Sequence, residues 1–253
     1  MGFSGSSVQL WNNNGTRLLA HIKVTQAAAK SINYPVSFMC SAYCKAQDQA
    51  EMIAVGDTLG NVHVFYQVKN VYFKETLYTI SEVPIITALA GDTKNGILCV
   101  GSSDGRIFLL SVLHVNEANV FGTLAGDAMK FSVTSMGVLQ CGISILLAGY
   151  SNGQIKGFRL PEGKHVLTIN AHSRAITAID VNPNKAVIAS VGEDSYMNLF
   201  EIGTTKECDV TLISSTKIEN NILCGVTFLP PNYTSVLAVA YDYSKLYHWK
   251  DII

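Results

Sequence analysis

The chain has 253 residues, a net charge of −1 and a composition that is 48% hydrophobic and 15% charged. These values exclude an intrinsically disordered chain and a strongly basic nucleic-acid-binding surface. No apolar run approaches the roughly 18–20 residues that a membrane-spanning helix needs, and no secretory signal is recognisable at the N-terminus. We therefore expect a cytoplasmic protein with neither a membrane span nor a nucleic-acid partner.

A ten-residue phrase recurs six times along the chain and predicts the fold. Each copy is a short polar turn followed by an alternating strand that ends on a large apolar residue. The copies occupy residues 2–11, 56–65, 101–110, 149–158, 192–200 (one residue shorter) and 240–249. Their last residues are 54, 45, 48, 42 and 49 positions apart. A period in the forties with four strands per unit is typical of a β-propeller of WD repeats.

The unit that ends at Phe200 shows the predicted order of strands. An inner strand over 175–181 is followed by a turn rich in Asn and Pro and by a second strand over 186–191. A tight turn at 192–195 leads into the third strand, and an outer strand begins near Asp209. Four such strands in sequence would form one blade.

The other units have the same predicted order. Inner strands are predicted over 36–44, 84–90, 131–138 and 223–229, and second strands over 52–55, 97–100, 143–148 and 235–239. Outer strands are predicted over 18–24, 76–80, 120–124 and 165–169. The inner strands are almost wholly apolar, which predicts burial on both faces. The outer strands mix charged and apolar residues, as exposed edges do.

Few segments fall outside this pattern. Residues 25–34 contain an alanine run and are predicted to form one helical turn, and residues 68–74 and 114–119 are predicted to be longer loops. Gly2 and Ser6 fit an N-myristoylation pattern, but both also occupy positions of the repeat, which explains them without a lipid. No linker interrupts the chain, so we expect a single domain over residues 1–253.

The two ends of the chain do not coincide with the ends of a unit. Five complete sets of inner, second and third strands are present, and the chain begins inside a sixth set. It ends directly after a third strand, with no outer strand to follow. We therefore predict an all-β propeller with about six blades represented. We also expect a seven-bladed parent from which roughly 80 N-terminal residues are missing.

Four residues of the unit described above match the positions that bond across a strong WD repeat. His172 stands at the opening, Ser190 on the second strand and Asp194 in the tight turn, while Phe200 replaces the usual Trp at the end of the third strand. The set of one His, one Asp and one Ser resembles a hydrolase triad by residue type alone. The spacing of the three residues instead favours a buried hydrogen-bond relay that fixes the turn. A nucleophile would also need an exposed strained turn and an oxyanion hole. We predict a structural relay and no enzyme.

The second residue of each phrase is predicted to lie on the face of the propeller that carries the tight turns. These candidates for protein binding, together with Arg174 from the adjacent opening, are Phe3, Asp57, Ser102, Tyr150, Glu193 and Tyr241. Three of the six phrase positions are aromatic, and exposed aromatic residues are enriched in binding hot spots. An equally weighted alternative is that each aromatic ring packs on its neighbouring blade.

No feature of the sequence predicts a cofactor, a metal site or a small-molecule substrate. The six cysteines are scattered, mostly inside predicted strands, and lack the neighbouring Cys or His residues of a zinc site. They are predicted to be free, reduced and buried. The glycine-rich phrases lack the Lys-Ser/Thr and the helix of a phosphate-binding loop.

The stretch over residues 143–200 is more specific than a general WD pattern. Its segments LLAGYSNGQI, INAHSRAI and GEDSYMNLF resemble the family of WD repeat-containing protein 54. The resemblance implies a non-catalytic cytoplasmic adaptor that binds other proteins in a multi-subunit assembly, with links to signalling or to the cilium and its axoneme. The alternative is a substrate receptor of a ubiquitin ligase, although none of the six third strands is followed by the Asp-x-Arg of that class. An enzymatic propeller would need convergent acids or a metal cluster.

Overall fold

The computed structural model describes residues 2–4, 7–12, 14–23, 37–69, 71–80, 85–124, 129–203 and 208–253. Within these ranges the regular secondary structure consists of 22 β-strands, and no α-helix is present. The described part of the chain therefore contains no helix that could cross a membrane. All strand pairs are antiparallel, as expected for consecutive strands joined by short turns.

The strands form six sheets in chain order. The first sheet comprises β1 (Gly2–Ser4), β2 (Ser7–Trp11) and β3 (Leu18–Lys23). The second comprises β4 (Phe38–Lys45), β5 (Glu51–Asp57), β6 (Asn61–Val68) and β7 (Val71–Thr79). The third comprises β8 (Ile86–Asp92), β9 (Ile97–Ser102), β10 (Ile107–His114) and β11 (Glu117–Leu124).

The remaining three sheets repeat this order. The fourth comprises β12 (Val133–Cys141), β13 (Ile143–Tyr150), β14 (Gln154–Leu160) and β15 (Lys164–Asn170). The fifth comprises β16 (Ile176–Val181), β17 (Val187–Gly192), β18 (Tyr196–Ile202) and β19 (Val210–Lys217). The sixth comprises β20 (Leu223–Leu229), β21 (Ser235–Ala240) and β22 (Leu246–Trp249). These six sheets, called blades 1 to 6 below, confirm the predicted all-β propeller architecture.

The hydrophobic core lies between the blades rather than within any one of them. Five clusters of buried side chains occur among the described residues, and each is shared by two consecutive blades. In the cluster between blades 1 and 2, for example, Val8 packs with Phe38, Val55 and Phe65. Because a sheet has two apolar faces, stacking the blades side by side is what removes both faces from water.

In blades 2 to 6 burial is greatest in the second strand, which corrects the prediction for the inner strands. Every residue of β9 and β17 is buried, whereas the inner strand β16 has only Ile176 and Ile179 in that class. The second strand has a strand on either side and a blade on either face. The inner strand borders the sheet, so its apolar sequence does not lead to full burial.

Two predicted loops are instead strand hairpins. Residues 68–74 contain the end of β6 and the start of β7, and residues 114–119 contain the end of β10 and the start of β11. Val68 pairs with Val71, and His114 pairs with Glu117, so both turns are short. The outer strands therefore begin earlier than their apolar pattern predicted. The predicted helical turn over 25–34 lies outside the described residues.

Candidate interaction surface

The tight turn between the second and third strands is held to the inner strand in the same way in five blades. A backbone N–H at the start of the turn donates to a carbonyl just before or at the start of the inner strand. These bonds are Thr58 to Ser37, Ser103 to Ile85, Ser151 to Ser132, Glu193 to Ala175 and Tyr241 to Ile222, at 2.8 to 3.0 Å. The donors therefore occupy equivalent positions on the face that carries the tight turns.

Because of this equivalence, the surface residues predicted in blades 5 and 6 do not occupy the same structural position as those predicted in blades 2 to 4. The first residue of each inner strand pairs with Asp57, Ser102, Tyr150, Gly192 and Ala240 in turn. Glu193 and Tyr241 are therefore one step further into the turn than Asp57, Ser102 and Tyr150. A β-bulge directly follows each of these pairs in all five inner strands, which supports the equivalence of the paired residues.

The predicted surface residues of blades 2, 3 and 4 are buried, so the prediction that they form an exposed binding face is wrong. Asp57 is 1% exposed, Ser102 0% and Tyr150 3%. The Ser102 hydroxyl donates to the carbonyl of Arg106 at 2.9 Å. The ring of Tyr150 lies in the cluster between blades 3 and 4, which is the alternative that the sequence left open for the aromatic residues.

Arg174, Glu193 and Tyr241 are exposed as predicted, and Tyr241 retains 73% of its accessible surface. Ile222, which accepts the Tyr241 backbone N–H, is 45% exposed. Arg174 precedes Ala175, whose carbonyl accepts the N–H of Glu193 at 3.0 Å. These four residues are called the turn surface of blades 5 and 6. The side chain of the remaining candidate, Phe3, lies outside the described part of the structure.

A hydrogen bond between the two inner strands brings the two halves of this surface together. Thr177 of β16 donates from Oγ1 to the carbonyl of Leu223 of β20 at 2.6 Å. Leu223 directly follows Ile222, and Thr177 lies three residues after Arg174. The bond thus joins the inner strands of the two blades close to the turns that carry Ile222 and Tyr241 in blade 6 and the charged residues Arg174 and Glu193 in blade 5.

The relay residues lie directly beneath the charged half of this surface. His172 Nδ1 is 2.9 Å from Asp194 Oδ1, and His172 Nε2 is 2.9 Å from Ser190 Oγ. Because an ionised carboxylate can only accept, Nδ1 donates to Asp194 and Nε2 accepts from the Ser190 hydroxyl. Asp194 Oδ2 also accepts the backbone N–H of Ser173 at 2.9 Å. The relay therefore links the second strand, the tight turn and the opening segment that carries Arg174.

The environment of the relay keeps the Asp194 carboxylate ionised. Burial opposes the charge, but the hydrogen bonds from the Ser173 backbone N–H and from His172 outweigh it and lower the pKa of Asp194. The side chain of His172 and the whole of Ser190 are 0% exposed. Ser190 Oγ is thus not presented to a substrate. Phe200 is not a hydrogen-bonding member of the relay, since its ring is buried in the cluster between blades 4 and 5.

Blade 2 contains a polar group that the sequence analysis missed. Asp57 Oδ2 lies 2.9 Å from His63 Nε2, and Asp57 Oδ1 accepts the backbone N–H groups of Leu59 and Asn61, both at 2.8 Å. The Phe38 ring packs against the imidazole in a T-shaped arrangement, with centroids 5.7 Å apart. The available signal was His63 itself, which stands between Val62 and Val64 in the third strand of its repeat.

The six cysteines are free thiols, and three of them are buried. Cys44, Cys99 and Cys208 are buried, whereas Cys224 at the bulge of β20 is exposed, contrary to the prediction of burial. Burial raises the pKa of Cys40 and of Cys44 to about 12. Among the described residues, no three His, Cys, Asp or Glu side chains are arranged to bind a metal ion.

Comparison with known sequences agrees with the repeat pattern. A family model described as WDR54 matches residues 3–252. WD repeat domain 54 of Rattus norvegicus is 28% identical over 160 residues, which cover 60% of this chain and 42% of that protein. WD repeat-containing protein 54 of Homo sapiens is 27% identical over 111 residues, which cover 43% of this chain and 33% of that protein. The aligned part of the chain thus spans less than half the length of each relative.

Solved structures support the fold independently of the family. The WD40 β-propeller domain of Doa1 is similar with a TM-score of 0.62 and 17% identity, covering 81% of this chain and 62% of that one. The computationally designed Ika4 protein is similar with a TM-score of 0.54 and 22% identity, covering 69% of this chain and 95% of that one. At these identities the likeness concerns the fold alone. The match of the family model over almost the whole sequence shows that the chain belongs to the WDR54 family of WD-repeat proteins.

Proposed function

We propose that this protein is a non-catalytic scaffold that binds another protein through the turn surface of blades 5 and 6. The observation that carries the proposal is the exposure of Tyr241, at 73%, and Ile222, at 45%, on a turn of blade 6, together with the exposed charged residues Arg174 and Glu193 on the corresponding turn of blade 5. Tyrosine and arginine are enriched among residues that dominate binding energy, and such anchors are most effective when surrounded by a polar rim.

The rigidity of the underlying blade supports the same proposal. The relay of His172, Ser190 and Asp194 holds the segment that presents Arg174, and the Thr177 bond fixes blade 5 against blade 6. A surface that is already ordered loses little conformational entropy when a partner binds. The turn-surface residues that a partner would contact are therefore already held in position before the partner binds.

The net charge of −1 and the mixed signs on the turn surface favour a protein partner over a nucleic acid, whose phosphates require a basic patch. We propose a multi-subunit assembly in the cytoplasm as the setting, with a signalling complex or the cilium and its axoneme as the specific location. This setting rests on the family resemblance.

The proposal is tested by comparing the partners of wild-type protein with those of a Tyr241→Ser variant, using affinity purification under identical conditions. We expect a defined set of proteins to be lost from the variant. Tyr43→Ser is the matched control, because Tyr43 is also exposed, at 48%, but lies on β4 of blade 2. Equal recovery of all partners by Tyr241→Ser and Tyr43→Ser would contradict the proposed surface.

The same affinity purification also tests the proposed cellular location and assembly. Partners that are ciliary or signalling proteins, together with a fluorescently tagged protein located at the cilium of ciliated cells, would support the proposed assembly. Recovery of ubiquitin-ligase subunits that depends on Tyr241 would instead favour the role of a substrate receptor.

A further inference from the structure

The turn between the inner and second strands of blade 2 is bonded to the neighbouring blade. This segment, residues 46–50 between β4 and β5, is called the blade 2 turn. It lies on the face opposite the tight turns, because an inner strand begins at one face and ends at the other. The Gln47 backbone N–H donates to the Val112 carbonyl of β10 at 2.9 Å, and Gln47 Nε2 donates to Ser111 Oγ at 2.8 Å. Blade 3 therefore holds a turn that belongs to blade 2.

A pair of ionisable side chains adds a third bond at the same place. Asp48 Oδ2 lies 2.7 Å from Nδ1 of His114, which ends β10. The other Asp48 oxygen accepts the Ala50 backbone N–H at 3.1 Å, so the carboxylate is fixed within the turn. The side chains of Asp48 and His114 are 39% and 55% exposed, so the pair is open to solvent. The pair is a hydrogen bond when His114 is neutral and becomes an ion pair when His114 is protonated.

The corresponding turns of blades 3 and 5 also contact the next blade, but through different chemistry. Asp92 Oδ1 in the turn of blade 3 accepts from Gln140 Nε2 of blade 4 at 2.9 Å. Asn182 Nδ2 in the turn of blade 5 donates to the Tyr233 carbonyl of blade 6 at 2.7 Å. Neither of these bonds joins two ionisable side chains. Of the three contacts, the one between blades 2 and 3 is therefore the one whose strength depends on the charge of a histidine.

The charged groups around His114 favour its protonated form. The hydrogen bond to Asp48 has the largest effect and raises the pKa of His114. Desolvation opposes this rise, and the negative charges of Asp48 in the blade 2 turn and of Glu117 in β11 add to it. The bond to His114 also lowers the pKa of Asp48, which therefore stays ionised at neutral pH. The charge of the pair near neutral pH is thus decided by His114.

The sign of the pH dependence follows from the raised pKa of His114. A histidine whose folded pKa is raised stabilises the folded contact fully below its unfolded pKa, and this stabilisation is lost as the pH rises through the folded value. Deprotonation leaves the hydrogen bond to Asp48 and both bonds of Gln47 in place, so the turn loosens without detaching. The effect is modest and sensitive to salt, because the ion pair is exposed.

We propose that the Asp48–His114 contact is a pH-sensitive switch that holds the blade 2 turn firmly on blade 3 when His114 is protonated and loosens the turn when His114 is neutral. The contact is tightest below about pH 6.5 and weakest in mild alkali. It lies on blades 2 and 3, on the face opposite the turn surface of blades 5 and 6. Either proposal can therefore fail without the other.

A proton titration of the whole protein, followed by NMR, measures the pKa of His114 directly. We expect this pKa to be higher in wild type than in Asp48→Asn, because asparagine keeps an acceptor for the Ala50 N–H but removes the negative charge. His165 of β15 is the matched control. It is also exposed, but its Nε2 lies 2.9 Å from the Thr168 hydroxyl instead of a carboxylate. Its titration curve should be the same in both proteins.

Hydrogen exchange of the Gln47 amide measures how firmly the turn is held. After correction for the pH dependence of intrinsic exchange, its protection at low ionic strength should fall about two- to fivefold between about pH 5.5 and 8.5, as expected for an exposed ion pair. High salt should reduce this change. His114→Gln keeps a side-chain donor but does not titrate, so it should abolish the change, whereas His165→Gln should retain it. The Asn182 amide, which donates to the Val187 carbonyl within blade 5 at 2.9 Å, should show no such change.

Several results would overturn the proposal. Protection of the Gln47 amide that does not vary with pH, or that varies equally in His114→Gln and His165→Gln, would show that His114 does not control the turn. A His114 pKa that is unchanged by Asp48→Asn would show that the pair does not form in solution. A parallel change at the Asn182 amide would show that pH loosens the blades in general, and not this contact.

Discussion

His63 and Asp57 form a buried pair in blade 2, with 2.9 Å between Nε2 and Oδ2 and side-chain exposures of 5% and 1%. Burial disfavours the ionised carboxylate, but the hydrogen bonds from His63 and Asn61 outweigh that effect and lower the pKa of Asp57. The pair ties the start of the tight turn to the third strand. Blade 2 thus fixes its turn with a histidine and an aspartate, as blade 5 does with His172 and Asp194, but from different positions of the repeat.

The lowered pKa of Asp57 predicts that stability falls in acid. A carboxylate whose folded pKa is lowered stabilises the protein above its unfolded pKa, and this contribution is lost as the pH falls through the folded value. We expect the free energy of unfolding in urea to decrease as the pH is lowered from about 5 to about 2. The decrease should be smaller in Asp57→Asn than in wild type. Asp242→Asn changes an exposed carboxylate and is the control; a slope unchanged in Asp57→Asn would contradict the assignment.

The relay predicts coupling between His172 and Asp194. Each single change to alanine should lower the free energy of unfolding by on the order of 1–3 kcal/mol, because the remaining partner stays buried without its hydrogen bond. The double variant should lose less than the sum of the two, with a coupling of at least about 0.5 kcal/mol. Arg174→Ala, at an exposed neighbour, should change stability by less than about 0.5 kcal/mol. Strictly additive losses in a urea-unfolding cycle would reject the relay.

Thiol reactivity should distinguish Cys224 from the other cysteines. Cys224 is exposed, whereas Cys44, Cys99 and Cys208 are buried, and burial raises the pKa of Cys40 and Cys44 to about 12. The thiolate is the reactive species, so Cys40 and Cys44 should be almost inert near neutral pH. Brief alkylation of the native protein should label Cys224 first, as read by peptide mass spectrometry, and a Cys224→Ser variant should lose that rapid label. Equally fast labelling of Cys44 would mean that blade 2 opens readily.

Gly153 in the tight turn of blade 4 should be intolerant of alanine. Its backbone has φ +84°, and an added Cβ would overlap the carbonyl oxygen of His172. Gly142 has a similar φ of +79° but nothing within 4 Å of an added Cβ. Gly142→Ala should therefore cost about 1 kcal/mol from backbone strain alone, and Gly153→Ala on the order of 3 kcal/mol. Thermal or urea unfolding measures both, and equal losses would show that the contact with blade 5 is unimportant.

The strands were largely predictable from local sequence. Alternation and the repeated turn phrase located β16, β17 and β18 within one residue or so, because side-chain periodicity and turn chemistry are local properties. The relay was predictable for the same reason, since His172, Ser190 and Asp194 stand at positions that the repeat itself marks. The outer strands β7 and β11 extend further than predicted because pairing with a third strand, rather than their own pattern, sets their length.

The sequence by itself determined that this chain forms repeated four-stranded units whose apolar faces must be stacked. Only the tertiary structure decided which turn residues reach the surface. Asp57 and Tyr150 stand in the same phrase position as Tyr241, yet they are buried and Tyr241 is exposed. Strand pairing makes Ala240, and not Tyr241, the counterpart of Asp57 and Tyr150, so Tyr241 lies one residue further into its turn and outside the buried end of the second strand. Register is set by hydrogen bonding between two strands, so the pattern within one phrase could not reveal it.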